Sequence, residues 1–511
     1  MHPRLFSTGI FILAGALAAF AAQNDPLLVK TDAGMVSGIN DASTGVRIYK
    51  GIPFAAPPVG DLRWRAPKPA AHWDGVRQAD KFGPTCMQGN GNGSSEDCLY
   101  LNVWTGAKSA NEKRPVMVWI YGGGYSTGSG SQAMYDGEAL AKKGAVIVTL
   151  NYRLGLLGFF SYPELTKESD RRGAANFGVM DAIAALHWVQ KNIAQFGGDP
   201  KRVTIFGESA GSGMVANLMT IPQAKGLFHR AIGESSAWST TTVSHLNTLA
   251  EAEQTGVKLA EGIGANSLAE LRAKPADAIL KAGRGSGPVV DGWLIPEDPG
   301  AVFAAGKQTD VPVLVGSNRD ESFGAARSAE QFTEQAHRRF GEMADSYLKI
   351  YPAASDEQAR ESAFFSGRDE MAFVMRNWAR LDAKPGKSKS YVYYFTQQRP
   401  PASNGKEGGA FAPGPHGSAT HVSEILYVFN HLDNSRPWTD ADRQVADTMS
   451  SYWVNFAANG DPNGQGLAKW QTYDGKAATA MVFGKQPEGT QAPGDAQLAF
   501  FQAYFDKLYA K

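Results

Sequence analysis

Val203-Thr204-Ile205-Phe206-Gly207-Glu208-Ser209-Ala210-Gly211-Ser212 carries the chain from a β-branched apolar segment, past a serine bracketed by two glycines, into a run of small residues. The first four residues suit a buried strand, and a helix is expected from near Ser212. A strand that turns sharply into a helix at a serine exposes the hydroxyl at the C-terminal edge of a parallel sheet. Gly207 and Gly211 leave room for a strained turn that a β-carbon would obstruct. The stretch therefore predicts an α/β fold and a serine placed as a nucleophile.

The pattern alone does not decide. The chain holds 57 glycines in 511 residues and contains a second match, Gly124-Tyr125-Ser126-Thr127-Gly128. That match also follows an apolar run, Val116 to Ile120, but it leads only into Gly128-Ser129-Gly130-Ser131. With no apolar helix behind it, Ser126 reads as a loop residue and Ser209 as the candidate.

Working outward, Val179, Ile183, Leu186, Val189 and Ile193 form an apolar stripe at helical spacing just upstream. Gly197-Gly198-Asp199-Pro200 then turns the chain into the nucleophile strand. His187, inside the same helical stretch, reads as structural. Leu99 to Trp104, Val116 to Tyr121 and Val146 to Asn151 are short, apolar and rich in β-branched residues, which suits central strands covered on both faces. Beyond Glu234 the pattern is more helical through about Arg380, with strand-like pieces at Val311 to Val315 and Tyr391 to Phe395. This alternation predicts a doubly wound, mostly parallel central sheet with helical insertions over its C-terminal edge. Gln397 to Ser418, rich in Pro, Gly and Ser, is expected to be a mobile loop and not a domain linker.

Composition excludes some classes of function. Lys plus Arg and Asp plus Glu number 50 each, so no net field gathers nucleic acid or an anionic membrane. Met1-His2-Pro3-Arg4, the apolar run Leu5 to Ala19 and the small residues Ala19-Phe20-Ala21 read as a cleaved export signal over residues 1–21. The run is too short for a comfortable span, so stable membrane insertion is not expected; an N-terminal anchor is the alternative reading. Residues 22–511 are expected to form a single domain. Cys86 and Cys98 are the only cysteines, with eleven residues between them. In an exported chain they predict one disulfide and no metal site.

A serine nucleophile needs a base, an acid that orients the base, and N–H donors for the oxyanion. Tyr121-Gly122-Gly123-Gly124 follows a buried strand and can turn backbone N–H groups into a site; Ala210 supplies another at the start of its helix. The acid is sought after Val311 to Val315, in Gly316-Ser317-Asn318-Arg319-Asp320-Glu321, where Asp320 and Glu321 compete. The base should follow the acid in the chain. His337, His416, His421 and His431 qualify, with His416 and His421 both well placed.

Taken together these motifs resemble the type-B carboxylesterases, which include cholinesterases and secreted bacterial and fungal esterases. The resemblance extends over nearly the whole mature chain. It rests on Tyr49-Lys50-Gly51-Ile52-Pro53-Phe54-Ala55, Ser95-Glu96-Asp97-Cys98-Leu99-Tyr100-Leu101-Asn102-Val103-Trp104, Asn151-Tyr152-Arg153, and Phe196-Gly197-Gly198-Asp199-Pro200 through Gly211. It implies an α/β-hydrolase fold and hydrolysis of small-molecule carboxylic esters through an acyl-enzyme, with no metal or organic cofactor. It further implies Ser209 as nucleophile, Glu321 as acid and His421 as base, with His416 a nearby decoy. Gly123, Gly124 and Ala210 are implied as oxyanion donors, and the family pattern supports a Cys86–Cys98 disulfide. Glu208 follows the family and is expected to place negative charge beside the nucleophile.

The departures are informative. The loop between the cysteines carries no aromatic residue, which argues against a choline-ester specialist. Ala182 stands where the family usually has Gln, and Ser212 where Gly is common. Two further readings remain at this level. Trp238 could line an aromatic acyl pocket for feruloyl or galloyl esters, and the fold also supplies inactive adhesion modules. The export signal implies a secreted or periplasmic location.

Overall fold

A computed structural model describes residues 26–89, 93–169, 175–239, 242–321, 326–383, 388–406, 412–474, 480–485 and 493–509. The export signal expected at residues 1–21 lies outside them. Ten strands form one mixed sheet. In chain order they are β1 (Ile39–Asn40), β2 (Arg47–Pro53), β3 (Tyr100–Thr105), β4 (Arg114–Ile120), β5 (Val146–Leu150), β6 (Gly198–Glu208), β7 (Arg230–Glu234), β8 (Val313–Asn318), β9 (Ser390–Phe395) and β10 (Ala480–Phe483). Across the sheet the order is β10-β9-β8-β7-β6-β4-β5-β3-β2-β1.

Strands β4 through β10 pair in parallel, whereas β3, β2 and β1 add antiparallel strands at one edge. Tyr100–Thr105 is thus buried as expected but runs against its neighbour β5. The chain places β5 on one side of β4 and β6 on the other, so the winding reverses at β4. Ligands of open α/β sheets sit beyond the strand ends at such a reversal. In-register pairing aligns Ile120 with Gly207 and Glu208 with Glu234, and Glu234 with Gly316. The residues that follow β4, β6, β7 and β8 therefore emerge side by side.

The helix before β6, α1 (Phe177–Asn192), departs from the one-faced stripe its spacing suggested. Most of its length is buried, including Asp181, which receives Arg153 Nε and Nη2 at 2.7 Å each. A buried carboxylate is tolerated here because the guanidinium fork satisfies both oxygens. Ala182, fully buried, packs in the same core. Two further helices lie near the sheet's C-terminal edge. They are α2 (Ala210–Leu218), which leaves the Ser209 turn, and α3 (Ala276–Ala282).

One apolar cluster runs from Val29 to Phe505 through both faces of the sheet. Trp238 belongs to it, stacked on Phe303 at 4.6 Å and packed against Phe505. The expectation that it lines an acyl pocket is corrected: its ring is spent on core packing. The described ends of the Gln397 to Ser418 segment are tethered. Gln398 Oε1 accepts the Ser418 N–H at 2.7 Å, and Arg399 Nη1 donates to Ser423 Oγ at 2.7 Å. No helix among the described residues is long and apolar enough to cross a membrane.

Candidate active site

Ser209 sits between β6 and α2 at φ 56°, ψ −127°, a left-handed conformation that side chains rarely adopt. Its N–H donates to Glu234 O and its carbonyl accepts from Gly213 N, both at 2.9 Å, so hydrogen bonds on either side hold the turn. The flanking glycines are required by contact. A β-carbon on Gly207 would lie 2.5 Å from Ile120 O, and one on Gly211 would lie 2.0 Å from the same oxygen. The helix begins at Ala210, two residues earlier than the sequence suggested, which places the Ala210 N–H at a helix N-terminus with no carbonyl of its own helix to bind. Ser212 also acquires a role. Its hydroxyl donates to Ser236 O at 2.5 Å and ties α2 to the chain leaving β7.

The Tyr121-Gly122-Gly123-Gly124 loop passes directly beside this turn. A β-carbon on Gly122 would be 2.9 Å from Ser209 Cβ and 2.7 Å from Glu208 O. Gly123 and Gly124 have φ of 98° and 60°. Ser126 and Thr127 both donate their N–H to Gly123 O at 3.1 Å, folding that carbonyl away. Among the described residues neither Gly123 N–H nor Gly124 N–H has an acceptor. Both glycines face an open cleft of about 900 Å³. Ser126, the rival serine, is a turn residue whose hydroxyl lies 3.3–3.4 Å from the Gly124 and Gly123 carbonyls.

The chain past β8 separates the two acid candidates. Glu321 is buried and its Oε2 lies 2.8 Å from His421 Nδ1, while Asn318 N–H donates to its other oxygen at 3.2 Å. Asp320 turns elsewhere. It accepts Arg319 Nε at 2.7 Å and the Ala419 N–H at 2.9 Å, and its own N–H donates to Ala419 O. Asp320 thus straps down the loop that carries His421, and Glu321 faces the imidazole. The following residue, Val422, is held at φ 66°, a costly conformation for a β-branched side chain. The other histidines lie apart from this arrangement. The His416 ring packs on Phe364 at 4.4 Å, and His337 is exposed in the last turn of its helix.

A second carboxylate meets the imidazole from the opposite side. Glu208 Oε1 lies 3.0 Å from His421 Nε2. Burial alone would push the histidine down, but Glu208 and Glu321 outweigh it and hold its pKa well above the ordinary value. Burial in turn raises the pKa of Glu208. Two more buried carboxyls stand behind. Glu234, paired in register with Glu208, accepts Trp453 Nε1 at 2.7 Å, and Glu424 accepts Asn318 Nδ2 at 2.5 Å. Desolvation, with the neighbouring carboxylates, lifts Glu424 to about 8 and Glu234 well above its usual range.

Sequence reasoning missed Glu234 and the Val422 backbone. The signal for Glu234 was a carboxylate closing an apolar strand one helical crossover after Ser209.

Residues 25–501 match the profile of the Carboxylesterase family. The fumonisin B1 esterase of Sphingopyxis macrogoltabida is 37% identical, covering 93% of this chain and 90% of its own length. The para-nitrobenzyl esterase of Bacillus subtilis is 32% identical over 89% of this chain and 94% of its own. A solved PNB esterase structure superposes with a TM-score of 0.74 at 32% identity, covering 88% of this chain and 94% of that one.

Proposed function

The chain belongs to the carboxylesterase family and is a carboxylic ester hydrolase, and from that premise we propose that Ser209 is its nucleophile, His421 its base and Glu321 the acid that orients the base. The observation that carries this reading is the Glu321–His421 contact at 2.8 Å, on an imidazole whose other nitrogen lies 3.0 Å from Glu208, the residue before the strained Ser209 turn. Ser209 Oγ attacks the ester carbonyl as His421 takes its proton, and the carbonyl oxygen becomes an oxyanion. The N–H groups of Gly123, Gly124 and Ala210 receive that charge. Donors fixed in advance need no reorganisation, and each is worth ~3 kcal/mol of transition-state stabilisation. The imidazolium returns its proton to the leaving alcohol, and water then releases the acid by the same steps.

Hydrolysis of p-nitrophenyl butyrate by the purified protein and by Ser209→Ala tests the assignment. The expected loss in kcat is roughly 10⁴-fold or more. Equal rates in the two proteins would sink it.

We read residues 22–511 as one domain, which the continuous apolar core supports. Export to the periplasm or the exterior is supported by the Cys86–Cys98 disulfide, a bond that persists in oxidising compartments. With Trp238 in the core, no observation favours phenolic-acid esters over simple ones.

A further inference from the structure

The cleft that exposes Gly123 and Gly124 has a charged wall. It is lined by Asp277 and Lys281 from α3, by Arg284 just beyond that helix, and by Gln88 from the disulfide loop. In a chain with 50 cationic and 50 acidic side chains, this wall carries two cations and one carboxylate. Among the described residues neither Lys281 nor Arg284 has an ion-pair partner within 4.0 Å, and both are exposed to the cleft.

The segment that carries Arg284 is seated against the wall of the active site. A β-carbon on Gly285 would lie 2.9 Å from both Gly155 O and Phe159 O, and Ser286 N–H donates to Phe159 O at 3.3 Å. Gly287 comes close enough to Tyr125 that a β-carbon there would be 3.3 Å from its ring. Tyr125 is the residue that follows Gly124. The backbone carrying the guanidinium is therefore registered against the oxyanion loop. A guanidinium left unpaired at the edge of a cleft matches a carboxylate by its planar fork, and Lys281 adds a point charge beside it.

We propose that Arg284 and Lys281 bind a free carboxylate of the substrate, so that the preferred esters are anionic. Such an ester is either a monoester of a di- or polycarboxylic acid or an ester whose alcohol part bears a carboxylate. This rests on Ser209 hydrolysis occurring at the oxyanion loop that shares the cleft. Asp277, one helical turn before Lys281, sets the limit on the attraction, and its removal should strengthen it.

The test compares kcat/KM for charged and neutral esters of similar size. For an anion on the acid side the pair is p-nitrophenyl hemiglutarate against p-nitrophenyl pentanoate. For an anion on the alcohol side it is 4-acetoxybenzoate against 4-acetoxybenzamide. In at least one pair, Arg284→Ala or Lys281→Ala should lower the charged-to-neutral ratio by roughly threefold to fivefold, and the double variant by about tenfold or more. Asp277→Asn should raise the ratio, and added salt should lower it in the wild type. Unchanged ratios in the double variant for both pairs would overturn the proposal. So would an equal fall on the neutral esters, which would mark the two residues as structural. Activity persisting in Ser209→Ala would instead defeat the nucleophile assignment.

Discussion

Removing the charge of Glu208 separates its influence on His421 from that of Glu321. In Glu208→Gln the carboxylate 3.0 Å from His421 Nε2 becomes a neutral amide of nearly the same size. At that distance and an effective dielectric near 20, the attraction between imidazolium and carboxylate is about 5 kcal/mol. Burial raises the pKa of Glu208 and so disfavours its charged form, and less than this is transmitted. A shift of about 1 to 3 pH units is the scale such contacts produce. The sign follows from the cause. Glu208 favours protonated His421, and only the neutral imidazole accepts the serine proton. The acidic limb of kcat/KM for p-nitrophenyl butyrate should therefore move to lower pH in Glu208→Gln. The plateau should fall as well, roughly tenfold for each 1.4 kcal/mol lost, because the imidazolium formed in the transition state loses a counter-charge. The profile is to be measured from pH 5 to pH 10, with release corrected for p-nitrophenol ionisation. A limb that stays in place, or moves to higher pH, would refute the argument.

Three further outcomes are expected. Glu321→Gln should lower kcat by about 10³ to 10⁴-fold, whereas Asp320→Asn should retain far more activity but lower the melting temperature, since it breaks a buried pair with Arg319. Glu424, held near 8 when folded against an ordinary 4.5, keeps its proton in the native state where the unfolded chain loses it. Its contribution to stability is thus present below about pH 4.5 and lost as pH rises toward 8, by at most about 5 kcal/mol. Denaturant titrations of Glu424→Gln should show a flatter decline over that window. Gly211→Ala, with its β-carbon 2.0 Å from Ile120 O, should destabilise by roughly 3 kcal/mol or more, while Gly262→Ala, which meets nothing within 4 Å at a helix end, should be neutral or slightly stabilising in the same melts.

Much of the fold was legible because its strands are buried on both faces and read as apolar β-branched runs bounded by Gly and Pro. Val203 to Phe206, Val146 to Asn151 and Tyr391 to Phe395 all lie within or against observed strands. Strand direction was not legible, since Tyr100–Thr105 has the same composition whether its neighbour runs with it or against it. The stripe on α1 concealed how deeply that helix is buried, because Asp181 looks like a solvent-facing residue until Arg153 closes on it. At the candidate site, local chemistry pointed to Ser209 and the glycine loop. It left Asp320 and Glu321 equivalent, because neighbouring positions differ only in which way they face. The register between β8 and the segment around Ala419 to His421 decides that direction, and residues 99 positions apart leave no trace of it in either segment alone. The upward shift of Glu234 and Glu424 is hidden for the same reason. It depends on how closely four carboxyls from four segments converge.

The most direct test of the central claim is covalent trapping. The protein is incubated with diethyl p-nitrophenyl phosphate, which transfers one diethylphosphoryl group to an activated serine with release of p-nitrophenol. Peptide mass mapping then locates the adduct. One group per chain on the peptide containing Ser209, lost in Ser209→Ala and greatly slowed in His421→Ala, is the predicted result. An adduct on Ser126, or none on Ser209 in active protein, would contradict the account.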